Sequence, residues 1–251
     1  MSEIRILKKE DIKQEFVNGL AHQIVFPNEY PGVDIYKCTL KAGESWKPAL
    51  SKRDEKFQLF LFINQGGFIE YPSYIFDISD RAIFIPFFDQ EEYTIHAGNT
   101  DLEFLHINSA INEDDLRSLN YVRLVLPKFK LLKDCWRYTE DFTGDAGSNL
   151  KSHYVVEHSF LGRCSMGWNL GVGPSFVGEH THPDLEQWYY IFPGSTFTYT
   201  AGDVKVDLKG GDMTHTPIKT PHGSITAAGE KIDYVWFELA VKGYPLPPEK
   251  V

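Results

Sequence analysis

Residues 178–194 read GEHTHPDLEQWYYIFPG, and the fold turns on how this stretch is parsed. His180 and His182 stand two residues apart. On a strand, side chains alternate, so both imidazoles face the same way and can reach one metal ion at about 2.0–2.1 Å. Gln187 opens an aromatic strand that runs to the turn at Gly194. Tyr189 and Ile191 share the parity of Gln187, and Trp188, Tyr190 and Phe192 take the other face.

Residues 211–223, GDMTHTPIKTPHG, supply the second half of the pattern. Gly211 and Asp212 make a tight turn into a short strand. Pro217 and Pro221 frame a bend, and His222 opens the next strand with Ser224 and Thr226 on its face. In an antiparallel barrel His222 would join His180, His182 and Gln187 inside.

Outward from these stretches the chain reads as short strands broken by Gly, Pro, Asn and Asp. They are expected over Val33–Leu40, Phe57–Asn64, Ala82–Pro86, Phe104–Asn108, Trp188–Phe192, Phe197–Thr200, Val204–Leu208 and Tyr234–Ala240. Many short strands at regular spacing predict a barrel or sandwich. Two short helices are expected, near Lys9–Asn18 and over Asn112–Leu119, the latter capped by Asn112 with Asp114 and Asp115 in its first turn.

An internal repeat argues for two copies of one module. Leu40 at the head of LKAG matches Leu170 at the head of LGVG, an offset of 130. Pro86 matches Pro217, and Ala97 with Gly98 matches Ala228 with Gly229, both at an offset of 131. The expected division is an N-terminal module over residues 1–120 and a C-terminal module over 121–251.

The motif pair resembles that of the cupin superfamily. Its first motif is a Gly, a spacer, His-x-His, three or four residues, Glu, six residues and Gly. Here His180 and His182 are followed by four residues, Gln187, six residues and Gly194. Its second motif runs Gly, five residues, Pro, then His, which Gly211, Pro217 and His222 match. There are two departures. Six residues separate Gly173 from His180 where the pattern has five, and Gln187 stands at the usual Glu position. Glu186 would satisfy the spacing from His182 but misses the spacing to Gly194, so Gln187 is favoured and Glu186 is the alternative. The resemblance implies an all-β chain of two tandem cupin barrels, double-stranded β-helix or jelly-roll in type. It also implies one divalent metal ion per chain, Zn, Ni, Mn or Fe, held by His180, His182, Gln187 and His222.

The N-terminal copy lacks these ligands. Leu50 and Lys52 fall near the positions of His180 and His182, and Glu91 falls at that of His222. A metal-free barrel is expected there, packing over the active one or building a homodimer. Its strand Phe57–Phe62 is apolar on both faces, as in a sheet buried between two layers.

The formal charge is −10, from 25 basic and 35 acidic residues. That balance argues against nucleic acid and anionic membrane surfaces as partners, because both demand clustered Lys and Arg. Cys38, Cys135 and Cys164 are dispersed and read as reduced thiols of a cytoplasmic protein. The partner expected is a small-molecule substrate. Three neutral imidazoles and a neutral amide leave the full +2 charge of a metal uncompensated, which suits polarising a carbonyl or binding a carboxylate. Isomerase, tautomerase or lyase chemistry on a small hydroxy- or keto-acid, carbohydrate-derived, follows. Tyr189 and His215 are the catalytic candidates, with Glu186 behind them. A dioxygenase and a non-catalytic ligand-binding protein are the competing classes.

Overall fold

The computed structural model describes residues 3–122, 124–143 and 149–245. The described chain separates into two compact units. One comprises residues 12–116 and 124–135, and the other takes the remainder.

In the N-terminal unit a seven-stranded antiparallel sheet runs in the order Lys128–Leu131, Ala82–Ile85, Lys56–Phe62, Leu102–Ala110, Val33–Leu40, Leu20–Tyr30 and Phe16–Val17. A four-stranded sheet has the order Ser45–Trp46, Thr94–Ala97, Gly67–Glu70 and Ile75–Ile78. In the C-terminal unit the seven-stranded sheet runs Arg5–Leu7, Met213–Thr216, Leu185–Ile191, Lys231–Ala240, Cys164–Val172, Leu150–Leu161 and Arg137–Tyr138. Its four-stranded sheet runs Ser175–His180, His222–Thr226, Thr196–Ala201 and Val204–Lys209. Strand for strand the two units have one topology.

The units do not meet at one cut between residues 120 and 121. Arg5–Leu7, which leads the chain, pairs with the edge strand Met213–Thr216 of the C-terminal unit. Lys128–Leu131 pairs with Ala82–Ile85 of the N-terminal unit. Each short strand pairs its backbone groups at the edge of a sheet.

Each unit closes around its own core. In the N-terminal unit Phe60, Phe62, Phe84 and Phe104 are fully buried with Tyr93 and Ile95. In the C-terminal unit Tyr189, Ile191, Phe197, Tyr199 and Tyr234 do the same. Burying each such ring contributes roughly 1.5–3 kcal/mol. Lys56–Phe62 is buried on both faces beyond its first residue, because Phe57, Leu59 and Leu61 are as enclosed as Phe60 and Phe62.

The helix expected over Asn112–Leu119 spans Glu113–Tyr121. Asn112 Oδ1 accepts from the Asp115 N–H at 3.1 Å, and Asp115 Oδ2 accepts from the Asn112 N–H at 2.9 Å, a reciprocal cap. The other expected helix is absent. Lys9–Asp11 is a single 3-10 turn, and Phe16–Val17 is a strand. The Asp212 carboxylate accepts from the Lys9 N–H and from Lys8 Nζ at the start of that turn. The three cysteines are buried and free. Among the described residues no helix is long and apolar enough to cross a membrane.

Candidate metal centre

The two motif turns rest on glycine. Gly194 and Gly211 take φ of +83° and +97°, where a side chain would be strained. The strand carrying Gln187 runs toward Gly194 and the strand Met213–Thr216 follows Gly211, and the two are paired in register with Gln187 opposite Thr216.

His180 ends its strand and pairs across the sheet with His222. His182 lies just beyond the strand, in a loop whose His182 carbonyl accepts from the Lys219 N–H at 2.8 Å. One nitrogen from each of His180, His182 and His222 lies within 4.8 Å of the others. The hydrogen bonds fix two of the tautomers. His180 Nδ1–H donates to the Gly178 carbonyl and His222 Nδ1–H to the Thr220 carbonyl, both at 2.8 Å. In each ring Nε2 keeps its lone pair for the centre of the cluster. His222 Nε2 is buried with no hydrogen-bond partner, a costly arrangement that a cation would relieve. Burial holds His222 down to about 3, with His180 adding to the effect. Burial lowers His180 and His182 as well. Neutral imidazoles are the form a metal takes, and the set fits a divalent ion.

Gln187 and Glu186 go to opposite faces. Gln187, with His180 and His182, lines an open cavity of about 110 Å³. Glu186 is buried on the far side of the sheet, where Oε2 lies 2.8 Å from His215 Nε2. Two expectations change with this pair. Glu186, the alternative ligand and the reserve catalytic candidate, is 4% exposed and is not among the residues lining the cavity. His215 does not reach the cavity: it lies opposite Trp188, stacks on that ring at 4.9 Å, and is fully enclosed. Strand parity is the reason, since Thr214 and Thr216 take the inward positions and Thr216 meets the Tyr199 hydroxyl.

Tyr189 does line the cavity, and its hydroxyl donates to Gln187 Oε1 at 3.3 Å. Burial raises its pKa well above 10, so the phenol stays protonated and serves as a donor.

The cavity holds acids that the motif gives no sign of. Glu238 comes from the Lys231–Ala240 strand, directly opposite Gln187. Glu140 comes from the short turn Asp141–Thr143 and the residues before it, and it also lines the cavity. That segment lies against Ser175–His180. Phe142 stacks on His180 at 3.8 Å, and a side chain at Gly178 would meet the Phe142 carbonyl at 3.2 Å. Burial raises the pKa of Glu140; the Tyr138 hydroxyl hydrogen bond partly offsets this, and the Glu238 charge adds to it. His158 Nε2 stands 3.8 Å from Glu238 Oε2. Among the described residues no Lys or Arg lines the cavity.

In the N-terminal unit Tyr93, not Glu91, takes the place of His222. Tyr93 lies two residues before Ile95, which pairs with Trp46, as His222 lies two before Ser224, which pairs with Val177. A histidine pair occurs in that unit instead, unforeseen from the sequence. His22 Nε2 and His106 Nδ1 are 3.0 Å apart, and His106 Nε2–H donates to Gln58 Oε1 at 3.0 Å. Among the described residues, His180, His182 and His222 form the one grouping of three or more His, Cys, Asp or Glu suited to a metal.

With two barrels of one topology on the page, solved structures can be compared. The chain is similar to a Pseudomonas aeruginosa protein described as glyoxylate-induced, with TM-score 0.77 and 10% identity over 99% of this chain and 93% of that chain. It is similar to oxalate decarboxylase from Lactobacillus farciminis, with TM-score 0.67 and 13% identity over 97% and 88%. A cupin 2 conserved barrel domain protein from Leptotrichia buccalis matches with TM-score 0.61 and 13% identity over 94% and 96%. The fold is that of the cupins. At these identities the likeness extends to the fold alone. No family model matches the sequence, and no curated protein matches it. The three-histidine cluster thus sits in the C-terminal barrel, on the two motifs that the sequence singled out.

Proposed function

We propose that the C-terminal cupin is a metal-dependent enzyme site for non-redox chemistry, of isomerase, tautomerase or lyase type, on a small hydroxy- or keto-acid. The metal would be held by His180, His182, Gln187 and His222. The observation that carries the reading is the convergence of three neutral imidazole nitrogens beside a cavity lined by Glu140 and Glu238. A bound divalent cation would polarise a substrate carbonyl or carboxylate.

The remaining work falls to side chains of this chain. Glu140 faces the cavity from outside the strand framework, and burial makes it a better proton acceptor than an ordinary carboxylate. It would take a proton from the carbon next to the carbonyl, the electron pair passing to the carbonyl oxygen, and return that proton to the neighbouring carbon or oxygen. Tyr138, hydrogen-bonded to Glu140 and stacked on Tyr154 at 3.9 Å, holds the carboxylate in place. Tyr189 orients Gln187 rather than acting as a base. The cavity admits one small molecule.

The test is anaerobic turnover of a panel of uronates and keto acids by protein loaded with Zn, Ni, Mn or Fe. Turnover of at least one acid, abolished in His182→Ala and cut by 10²-fold or more in Glu140→Gln, is expected. Oxygen consumed in step with substrate by the iron form alone, with the zinc and nickel forms dead, would replace this reading with a dioxygenase.

A further inference from the structure

The four groups assigned to the metal carry no charge of their own, yet a buried carboxylate stands directly behind one of them. Glu238 is 5% exposed and lies across the strand pair from Gln187. Gln187 Nε2 donates to Glu238 Oε1. That bond settles the amide orientation, because a carboxylate only accepts. Gln187 Oε1 is therefore turned away from Glu238, where it accepts from the Tyr189 hydroxyl and keeps a second lone pair. The Glu238 charge also acts on His180 and His182. A buried carboxylate is costly without a cation near it. The His158 ring, 3.8 Å away and 43% exposed, is a weak partner.

The N-terminal unit supplies an internal comparison. Gln58 occupies the position of Gln187 on the equivalent strand, and the residue directly opposite it is Asn108. There the amide nitrogen donates to the Ala49 carbonyl at 2.9 Å and to Ser51 Oγ at 3.3 Å. The glutamine thus recurs in both barrels. The carboxylate behind it is found in the barrel with three convergent imidazoles.

We propose that Glu238 is the charge partner of the metal centre: acting through Gln187, it holds the amide oxygen toward the cation and brings the net charge of centre and partner from +2 to +1. The carboxylate that other cupins place on the metal is here one residue removed, behind an amide. This rests on the ligand set and not on the reaction, and it revises the view of an uncompensated dication. Glu238 acts as a positioning residue, since it works through another side chain.

The experiment measures Zn(II) affinity of the full chain by competition with a chelating indicator, for wild type, Glu238→Gln, Gln187→Glu and the double exchange Gln187→Glu with Glu238→Gln. Glu238→Gln should bind zinc about 10–100-fold more weakly. The double exchange moves the carboxylate onto the ligand itself and should recover affinity to within about 3-fold of wild type. The Co(II) absorption spectrum of the double exchange should show an intact centre. Wild-type affinity in Glu238→Gln overturns the proposal. So does a double exchange as weak as Glu238→Gln, which would mean Glu238 serves the barrel and not the cation. If Glu238→Gln does not fold, the double exchange is judged against wild type: affinity within about 3-fold supports the proposal, and a loss of about 10-fold or more overturns it. Wild type that fails to bind zinc or cobalt at all refutes the metal centre itself, a different result from either.

Discussion

Gly167 stands opposite Trp236 in the Cys164–Val172 and Lys231–Ala240 pairing. A Cβ placed on Gly167 would lie 2.1 Å from Trp236 Cζ2 and 2.3 Å from Cε2. The strand cannot absorb that overlap locally. The backbone of Gly167 is paired on both sides, and Trp236 is 6% exposed within the core. The ring must therefore swing, and the free space beside it is the cavity it lines. Gly167→Ala is expected to cost about 1–3 kcal/mol as an overpacking change. With a urea m value of roughly 2–3 kcal/mol/M, a cost near 2 kcal/mol lowers the denaturation midpoint by about 0.7–1 M. The assay is urea unfolding followed by tryptophan fluorescence, with zinc affinity measured on the same samples. Gly194→Ala is the control. Its Cβ meets nothing within 4 Å, so its cost is conformational only, about 1–2 kcal/mol. Gly194→Ala should leave substrate and metal binding intact, whereas Gly167→Ala should impair substrate binding by moving the cavity wall. A Gly167→Ala protein within 0.5 kcal/mol of wild type and with unchanged ligand binding would refute the packing argument.

Phe60→Ala in the N-terminal core should lower stability by about 3–5 kcal/mol in urea unfolding. Asn112→Ala removes a helix cap and should cost about 1 kcal/mol by the same measurement. Elemental analysis should give about one metal per wild-type chain, with most of it lost in His180→Ala or His222→Ala. Burial holds His106 down to about 3 against an ordinary 6.5, with His22 and Lys56 adding to the shift. The unfolded chain takes up that proton first, so this histidine's contribution is complete above pH 6.5 and is lost as pH falls from about 6.5 toward 3. His106→Gln should flatten the fall of the urea midpoint across that window, and an unchanged slope would count against the assignment.

The sequence made the fold legible because two motifs with fixed spacing and a repeat at one offset point the same way. It also separated Gln187 from Glu186 in face, since alternation is a local property. His215 was misread for want of one pairing: only the register that sets it opposite Trp188 turns it away from Gln187. Glu238 was hidden for the same kind of reason. Within its own strand it is one polar residue in an apolar run, and its place behind Gln187 exists only once two strands 51 residues apart are paired. Glu140 lies on a segment that carries no motif, and what brings it to the cavity is the packing of Phe142 on His180. His22 and His106, 84 residues apart, meet through strand order alone.

The placement of the two leading strands also orders events during synthesis. The N-terminal barrel cannot complete its larger sheet until Lys128–Leu131 has left the ribosome, well after its other strands. Leu7 waits far longer, since its partner Met213 is translated about 200 residues later, a delay of roughly 10–40 s at 5–20 residues per second. For that interval Arg5–Leu7 lacks the edge it pairs with in the folded chain. A chain that terminates before Met213 would carry Arg5–Leu7 unplaced, a ready mark for the cell's quality-control proteases.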